Sequence, residues 1–397
     1  MSTTDSAIQL DPDVFDVSEQ GKSASTLELF FDLVFVFAFT QVTSFLVEHQ
    51  TWVGLAQGAA ILAVVWRAWV AYSWLTGAAS AEKDVVERLI LLGGMTFMAA
   101  VALSIPDAFG DTALIFGVTY FIARLFHVIL YYLVAPSETR AALHRLTPGW
   151  VGGPALLVVA GFVDGLLASI LWIAAIIFEY GIVFGRSIEG FQIDIGHFIE
   201  RHQLIVIVAL GESIIAIGIA VGTEELLSSL VVGLATFLGF ALIVALWWLY
   251  FDYTVLVAGQ QLARMSGYEQ VLLAHISFSG LHLLIVGSII FIAFGIEQTL
   301  AHVNEPLGPI AAIGLCGGST LYLLGHTAWQ YNEYHTVNGA RLTVAVAIVG
   351  LIFVAGRFTA FVILTALTGF FVGLAAYETV YSEDRKSIRR RYFSQND

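Results

Sequence analysis

Residues 27–47, LELFFDLVFVFAFTQVTSFLV, stay apolar for as long as a helix needs to cross a bilayer, about 20 residues. Eleven further runs follow, at 52–75, 87–105, 112–134, 148–163, 165–185, 203–221, 226–251, 270–294, 308–329, 341–356 and 358–380. In hydrocarbon, backbone N–H and C=O groups must pair within the chain, and runs of this length do so as helices. The expectation is an all-α polytopic membrane protein of about twelve transmembrane helices. Of the 397 residues, 58% are hydrophobic and only 12% charged, against about a quarter charged in soluble proteins. The apolar excess runs the whole length, which excludes a soluble domain on an anchor. The least marked divisions fall at Asp164 and Gly165, between the fifth and sixth runs, and at Gly356 and Arg357, between the last two.

Basic residues orient the bundle. With the N-terminus in the cytoplasm, inner segments hold 14 of the 17 Lys and Arg, Arg67 and Arg124 lie within runs, and Arg357 alone falls outside. Outer loops carry Asp107, Asp111, Asp164, Glu224, Glu225 and Glu305 instead. This asymmetry predicts an even number of spans with both termini cytoplasmic. Residues 1–26 form an acidic tail expected to be disordered, without the basic start and short apolar core of a cleaved signal. Residues 381–397 form a basic cytoplasmic tail beside the lipid headgroups, whose plainest role is to fix topology. The net charge of −14 and the lack of a basic stripe elsewhere argue against a nucleic-acid partner. The single Cys316 excludes an intramolecular disulfide and a multi-cysteine metal site.

The halves of the chain resemble each other. LVFVFAFTQ (33–41) aligns without gaps to LIVIVALGE (204–212), setting Gln41 opposite Glu212. YFIARLF (120–126) and YLLGHTA (322–328) come at similar places, setting Arg124 opposite His326, and WRAWVAYSW (66–74) corresponds to WWLYFDY (247–253). The shared order predicts two parallel six-helix repeats, 27–185 and 203–380, joined by a cytoplasmic linker at 186–202. Transporter folds use such duplication, with the site between the repeats. The competing account is likeness of composition among apolar helices.

Against this background the ionisable residues inside the runs stand out, because each costs several kcal/mol at membrane depth unless it meets protein, water or a partner. Glu28 and Asp32 lie four apart on one face of the first run. Arg67 is expected to pair with them, and Arg124 with Glu179, as bidentate carboxylate pairs; the alternative is that such pairs only fix packing. Glu212, between Gly211 and Ser213, has no basic residue within a turn, the setting of a proton carrier or cation ligand. The alternative is a Glu hydrogen-bonded to a neighbouring helix. His275 and His282 are two turns apart with Ser279 between them, and His326 lies near the inner end of its run. Imidazoles and carboxylates suit zinc or iron, but no compact metal motif is present, so no metal or other cofactor is expected. The candidate pathway is thus Glu28, Asp32, Gln41, Arg67, Arg124, Glu179, Glu212, Ser213, His275, His282 and His326. These gather toward the cytoplasmic side, suggesting a polar cavity narrowing toward Gln41 and Glu212.

The motifs LELFFDLVFVFAFTQ and ERHQLIVIVALGESIIAIG resemble the bacterial low temperature requirement A (LtrA) family, over most of the chain from about Glu28. The resemblance implies a multi-pass inner-membrane protein of a family named for growth in the cold. Its signature falls on Glu28, Phe31, Asp32, Glu200, Arg201, Gly211, Glu212 and Ser213. A fainter likeness is to cation channels of two six-helix repeats with a Phe-Ser-Asp motif, where this chain has Phe30-Phe31-Asp32. Three functions compete. The favoured one is transport of protons, cations or a small solute. The second is an intramembrane enzyme acting on a lipid or isoprenoid. The third is a scaffold or sensor for growth in the cold. Expected partners are the bilayer and a small solute or cation; a homo-oligomer is left open.

Overall fold

The computed structural model describes residues 23–78, 84–222, 226 and 229–381. The tail residues 1–22 and 382–397, with Lys83, Glu224 and Glu225 of the charge argument, lie outside the described residues. The described chain is helical throughout and has one isolated bridge, Pro306 to Thr359. The helices are α1 (Thr26–Glu48), α2 (Trp52–Ala78), α3 (Val85–Ser104), α4 (Ala113–Val134), α5 (Ser137–Ala160), α6 (Gly165–Gly185) and α7 (Ile195–Ala220). They continue with α8 (Leu230–Leu249), α9 (Val255–Arg264), α10 (Gly267–Ala301), α11 (Pro309–Tyr334), α12 (Gly339–Val354) and α13 (Ala360–Tyr381).

Among the described residues, eleven helices are long and apolar enough to cross a membrane. The twelfth expected span, 148–163, is the C-terminal part of α5. That helix starts earlier, at Ser137, and its first turns carry Glu138, Arg140, His144 and Arg145, which lower its hydropathy. It nevertheless packs against both α4 and α6. Side chains on the outer surface of the bundle are apolar, among them Phe30, Leu33, Leu166, Ile177, Phe237 and Val346. Such a surface belongs in lipid.

The start of α1 is written in its sequence. Ser25 caps the helix by accepting from the Glu28 N–H, and Glu28 reaches back to the Ser25 N–H, 2.8 Å away. This reciprocal capping box pins Glu28 to the helix end, where its other oxygen can serve a second helix. The buried stripe of α1 then runs Glu28, Phe31, Asp32, Phe35, Phe39, Val42 and Phe45, the spacing of one helix face. That face meets α2, α3, α7 and α10, so α1 is central to the bundle. α7 likewise touches α1, α2, α8 and α10. At Gly295 the backbone of α10 lies so near the α11 backbone that a Cβ would run into Leu315. Small residues allow such approaches in membranes.

Candidate functional site

Asp32 is held by α7. Arg201 makes a bidentate pair with it, Nη1 to Oδ2 and Nη2 to Oδ1, both 2.9 Å, and the Trp69 indole donates to Oδ1 at 2.9 Å. Asp32 is 3% exposed and Arg201 1%. Beside them, His197 Nε2 lies 2.8 Å from Glu28 Oε1. The expected pairing of Glu28 and Asp32 with Arg67 is therefore corrected: their basic partners are His197 and Arg201. Both come from the first two turns of α7, which begins at Ile195 and so takes residues 195–202 out of the expected linker.

Arg67 belongs to a second cluster. Its Nε is 4.0 Å from Glu179 Oε2, and Arg124 Nη2 is 3.9 Å from the same oxygen. The expected Arg124–Glu179 pair is present, but as one arm of a triad. The Tyr120 hydroxyl lies 3.1 Å from each Glu179 oxygen and 3.2 Å from the Val64 carbonyl. Arg124 is wholly buried, and none of its three side-chain nitrogens has a hydrogen-bond acceptor among the described residues. Two guanidinium groups thus share one carboxylate inside the bundle. Arg67 and His275 line two cavities. The larger, about 220 Å³, also meets Glu179, Tyr180 and Ser279; the smaller, about 20 Å³, meets His127 and Trp150.

Glu212 is buried on α7, and the Thr40 hydroxyl of α1 donates to its Oε2. Its Oε1 has no hydrogen-bond partner among the described residues, nor has the neighbouring Ser213 hydroxyl. Gln41, the residue that the alignment of the halves sets opposite Glu212, follows Thr40 on α1 and is half-buried. Glu297 of α10 is close enough to interact electrostatically with Glu212. From Arg201 to Glu212 is about 16 Å along α7, at 1.5 Å per residue. Neither described cavity is lined by Asp32 or Glu212; the site residues form separate clusters along the bundle.

The histidines separate for a structural reason. A wide π-helical turn spans His275–Leu281, so His275 and His282 do not share a face as α-helical spacing predicts. His275 turns to the two cavities and packs edge-on to Trp74. His282 sits between the Ser277 carbonyl, 2.9 Å from Nδ1, and the Tyr250 hydroxyl, 3.0 Å from Nε2. Its ring is 5.4 Å from that of His202. His326 packs edge-on against Tyr322 and Tyr250. Tyr250 itself begins a second π turn, Tyr250–Thr254, and a third spans Ile313–Gly317. Turns of this kind occur often at functional sites. Ser279 joins two helices: its hydroxyl accepts from Trp74 at 2.9 Å and its carbonyl from Trp66 at 2.8 Å. Among the described residues, no three His, Cys, Asp or Glu side chains are grouped to hold a metal ion.

A family model for the bacterial low temperature requirement A protein (LtrA) matches residues 23–376 of this chain, a stretch that includes the acids of α1 and α7. The chain belongs to the LtrA family. This LtrA-family chain is 30% identical over 325 residues to the uncharacterized protein RA0937 of Rhizobium meliloti (strain 1021). That alignment covers 77% of this chain and 76% of the relative. No solved structure matches it.

Several residues of this LtrA-family protein were not singled out as site residues from the sequence. Arg201 and Arg341 are among the 14 basic residues that the charge asymmetry assigns to inner segments, yet both are buried, and Arg341, on α12, pairs with Glu378 of α13 through Nε at 2.8 Å and Nη2 at 3.0 Å. His197 is hidden in the polar start of α7. Glu333, 2% exposed at the end of α11, is a further buried carboxylate. The available signal was the ERH cluster at 200–202: two charges and an imidazole directly before an apolar run suit the end of a helix as well as a loop.

Proposed function

We propose that this LtrA-family protein is a transporter or channel that moves protons, cations or a small solute, built as two parallel six-helix repeats with both termini in the cytoplasm of the cell membrane. The observation that carries the proposal is Glu212. It is buried where α1 meets α7, with a hydroxyl donor, with no basic side chain paired to it among the described residues, and with a second carboxylate, Glu297, nearby. A carboxylate at that depth either holds a proton or holds a cation, and exchange between these is the elementary step of coupled transport. In the repeat arrangement α1 and α7 are equivalent helices, so Glu212 lies at the junction of the halves, where duplicated transporters keep their sites.

Two features support the duplication. In the first half α1 packs on α2 and α3, α3 on α4, α4 on α5, and α5 on α6. In the second, α7 packs on α8 and α10, α10 on α11, α11 on α12, and α12 on α13. Then the Tyr120 hydroxyl meets the Val64 carbonyl, and the Tyr322 hydroxyl meets the Leu246 carbonyl at 2.7 Å. Tyr120 and Tyr322 are residues that the sequence alignment sets opposite each other. Counting α5, whose apolar half is short, brings the spans to an even number with six in each half.

Flux through proteoliposomes tests the proposal. Wild-type protein should dissipate an imposed proton or monovalent-cation gradient, and Glu212→Gln should stop it while the protein stays monodisperse in detergent. Equal flux in the variant removes Glu212 from the mechanism. Absence of flux for any proton, cation or solute tested ends the transport proposal.

A further inference from the structure

We infer that the Arg67–Arg124–Glu179 cluster is an anion site whose ligand is a small monocarboxylate with a short apolar tail. The inference would supply the solute for the pathway proposed above, and it rests on that reading for movement across the membrane but not for binding.

The first argument is charge. Arg67 and Arg124 both approach one oxygen of Glu179, at 4.0 and 3.9 Å, longer than a hydrogen bond. Two fixed cations and one carboxylate leave a net charge of plus one in the interior. Among the described residues, Glu179 is the sole acid lining either cavity. Buried charge of this kind is costly until an opposite charge joins it. A monoanion brings the cluster to neutrality, whereas a dianion such as a phosphate monoester exchanges one excess for another.

The second argument is position. Arg67, Arg124 and the Tyr120 hydroxyl all share the one Glu179 carboxylate. The ion pair of Arg67 with Glu179, at 4.0 Å, is a long one, and of the two arginines it is Arg67 that lines both cavities, together with His275. His275 Nδ1 has no hydrogen-bond partner among the described residues. A guanidinium fork and an adjacent imidazole are a natural pair of donors for a carboxylate. The third argument is shape. The larger cavity, about 220 Å³, is walled beyond Arg67 by Val70, Ile276 and Leu281. A halide would leave that apolar volume unfilled; a short alkyl tail fills it and gains by leaving water. The cavity lies between α2 and α6 of one half and α10 of the other.

Equilibrium binding decides the matter without any flux measurement. Purified full-length protein in detergent is titrated with butyrate, with butyramide as the uncharged analogue and with chloride and inorganic phosphate as alternative anions, read by calorimetry and tryptophan fluorescence. Butyrate should bind saturably at or below about 10 mM, and butyramide should not bind. Arg67→Gln should weaken butyrate by about tenfold or more. Glu179→Gln should tighten it by about tenfold, because the competing carboxylate is gone. Gly280→Leu adds bulk at a cavity-lining position where a Cβ meets nothing nearer than the His275 carbonyl, at 3.7 Å. It should abolish butyrate binding with the thermal midpoint unchanged, which keeps a test in hand if the charge variants do not fold. The inference is overturned if butyrate fails to bind, if butyramide, chloride or phosphate binds as tightly, or if Glu179→Gln weakens binding as Arg67→Gln does. Butyrate binding without flux would sustain this inference and overturn the transport proposal alone.

Discussion

Asp32→Asn isolates the energetics of the α1–α7 junction. The substitution keeps the size of the side chain and an oxygen for the Trp69 indole, so that 2.9 Å bond survives. What goes is the carboxylate charge and one of the two 2.9 Å bonds from Arg201. Arg201 is 1% exposed and its Nε already has no hydrogen-bond partner among the described residues, so it cannot turn to solvent. Breaking one side of such a buried pair costs roughly 3–5 kcal/mol, most of it the stranded charge. Glu28 is also within electrostatic range of Arg201, which holds the loss near the lower end, about 3 kcal/mol. Unfolding by SDS in mixed micelles, followed by tryptophan fluorescence, measures it. Adding Arg201→Met should recover about 2 kcal/mol or more, since an apolar side chain replaces the stranded cation. If Asp32→Asn lies within about 0.5 kcal/mol of wild type, or the double variant is no more stable than the single one, the charge-pair account of this junction is wrong.

Further outcomes are read by the same unfolding assay. Tyr120→Phe and Tyr322→Phe should each cost about 1–2 kcal/mol, with Tyr120 the larger because its hydroxyl serves a carboxylate as well as the Val64 carbonyl. Gly295→Ala should destabilise by about 1–3 kcal/mol, because its Cβ meets Leu315 backbone. Gly181→Ala, with nothing within 4 Å, should instead be neutral or stabilising. Glu378→Gln should cost about 1–3 kcal/mol by removing the charge opposite Arg341, which keeps its 3.2 Å bond to the Leu249 carbonyl, and Arg341→Met in that background should restore part of it.

The sequence made the helical membrane class legible because bilayer thickness sets a length that composition reveals directly. It also marked Glu28, Asp32, Arg124, Glu179 and Glu212 as buried, and each is. Pairing was less legible. Arg201 looked like a loop charge because IGHFIERHQ is too polar to register as a span. The helix that contains it becomes visible only when Asp32 and Glu28 are seen to neutralise it across the bundle. Arg341 escaped for the same reason, its countercharge Glu378 being 37 residues away. The positive-residue asymmetry thus counted two arginines that are internal. The histidine face failed for a different cause, since periodicity assumes one winding along the whole helix and the segment from His275 to Leu281 is wound more widely.

That wider winding makes α10 tolerant of a change in length at one place. A π turn carries one residue beyond what an α ladder uses, so a single deletion within 275–281 leaves a continuous rod. Residues downstream of it would keep their faces, because the surplus residue is absorbed in the wide turn and its loss returns the segment to the α ladder. His282 would stay against the Tyr250 hydroxyl, whereas the same deletion in a regular α stretch would swivel everything beyond it by about 100° about the axis. The wide turn is a slack link in an otherwise stiff rod, the one stretch of the helix that can lose a residue without disturbing the contacts on either side of it.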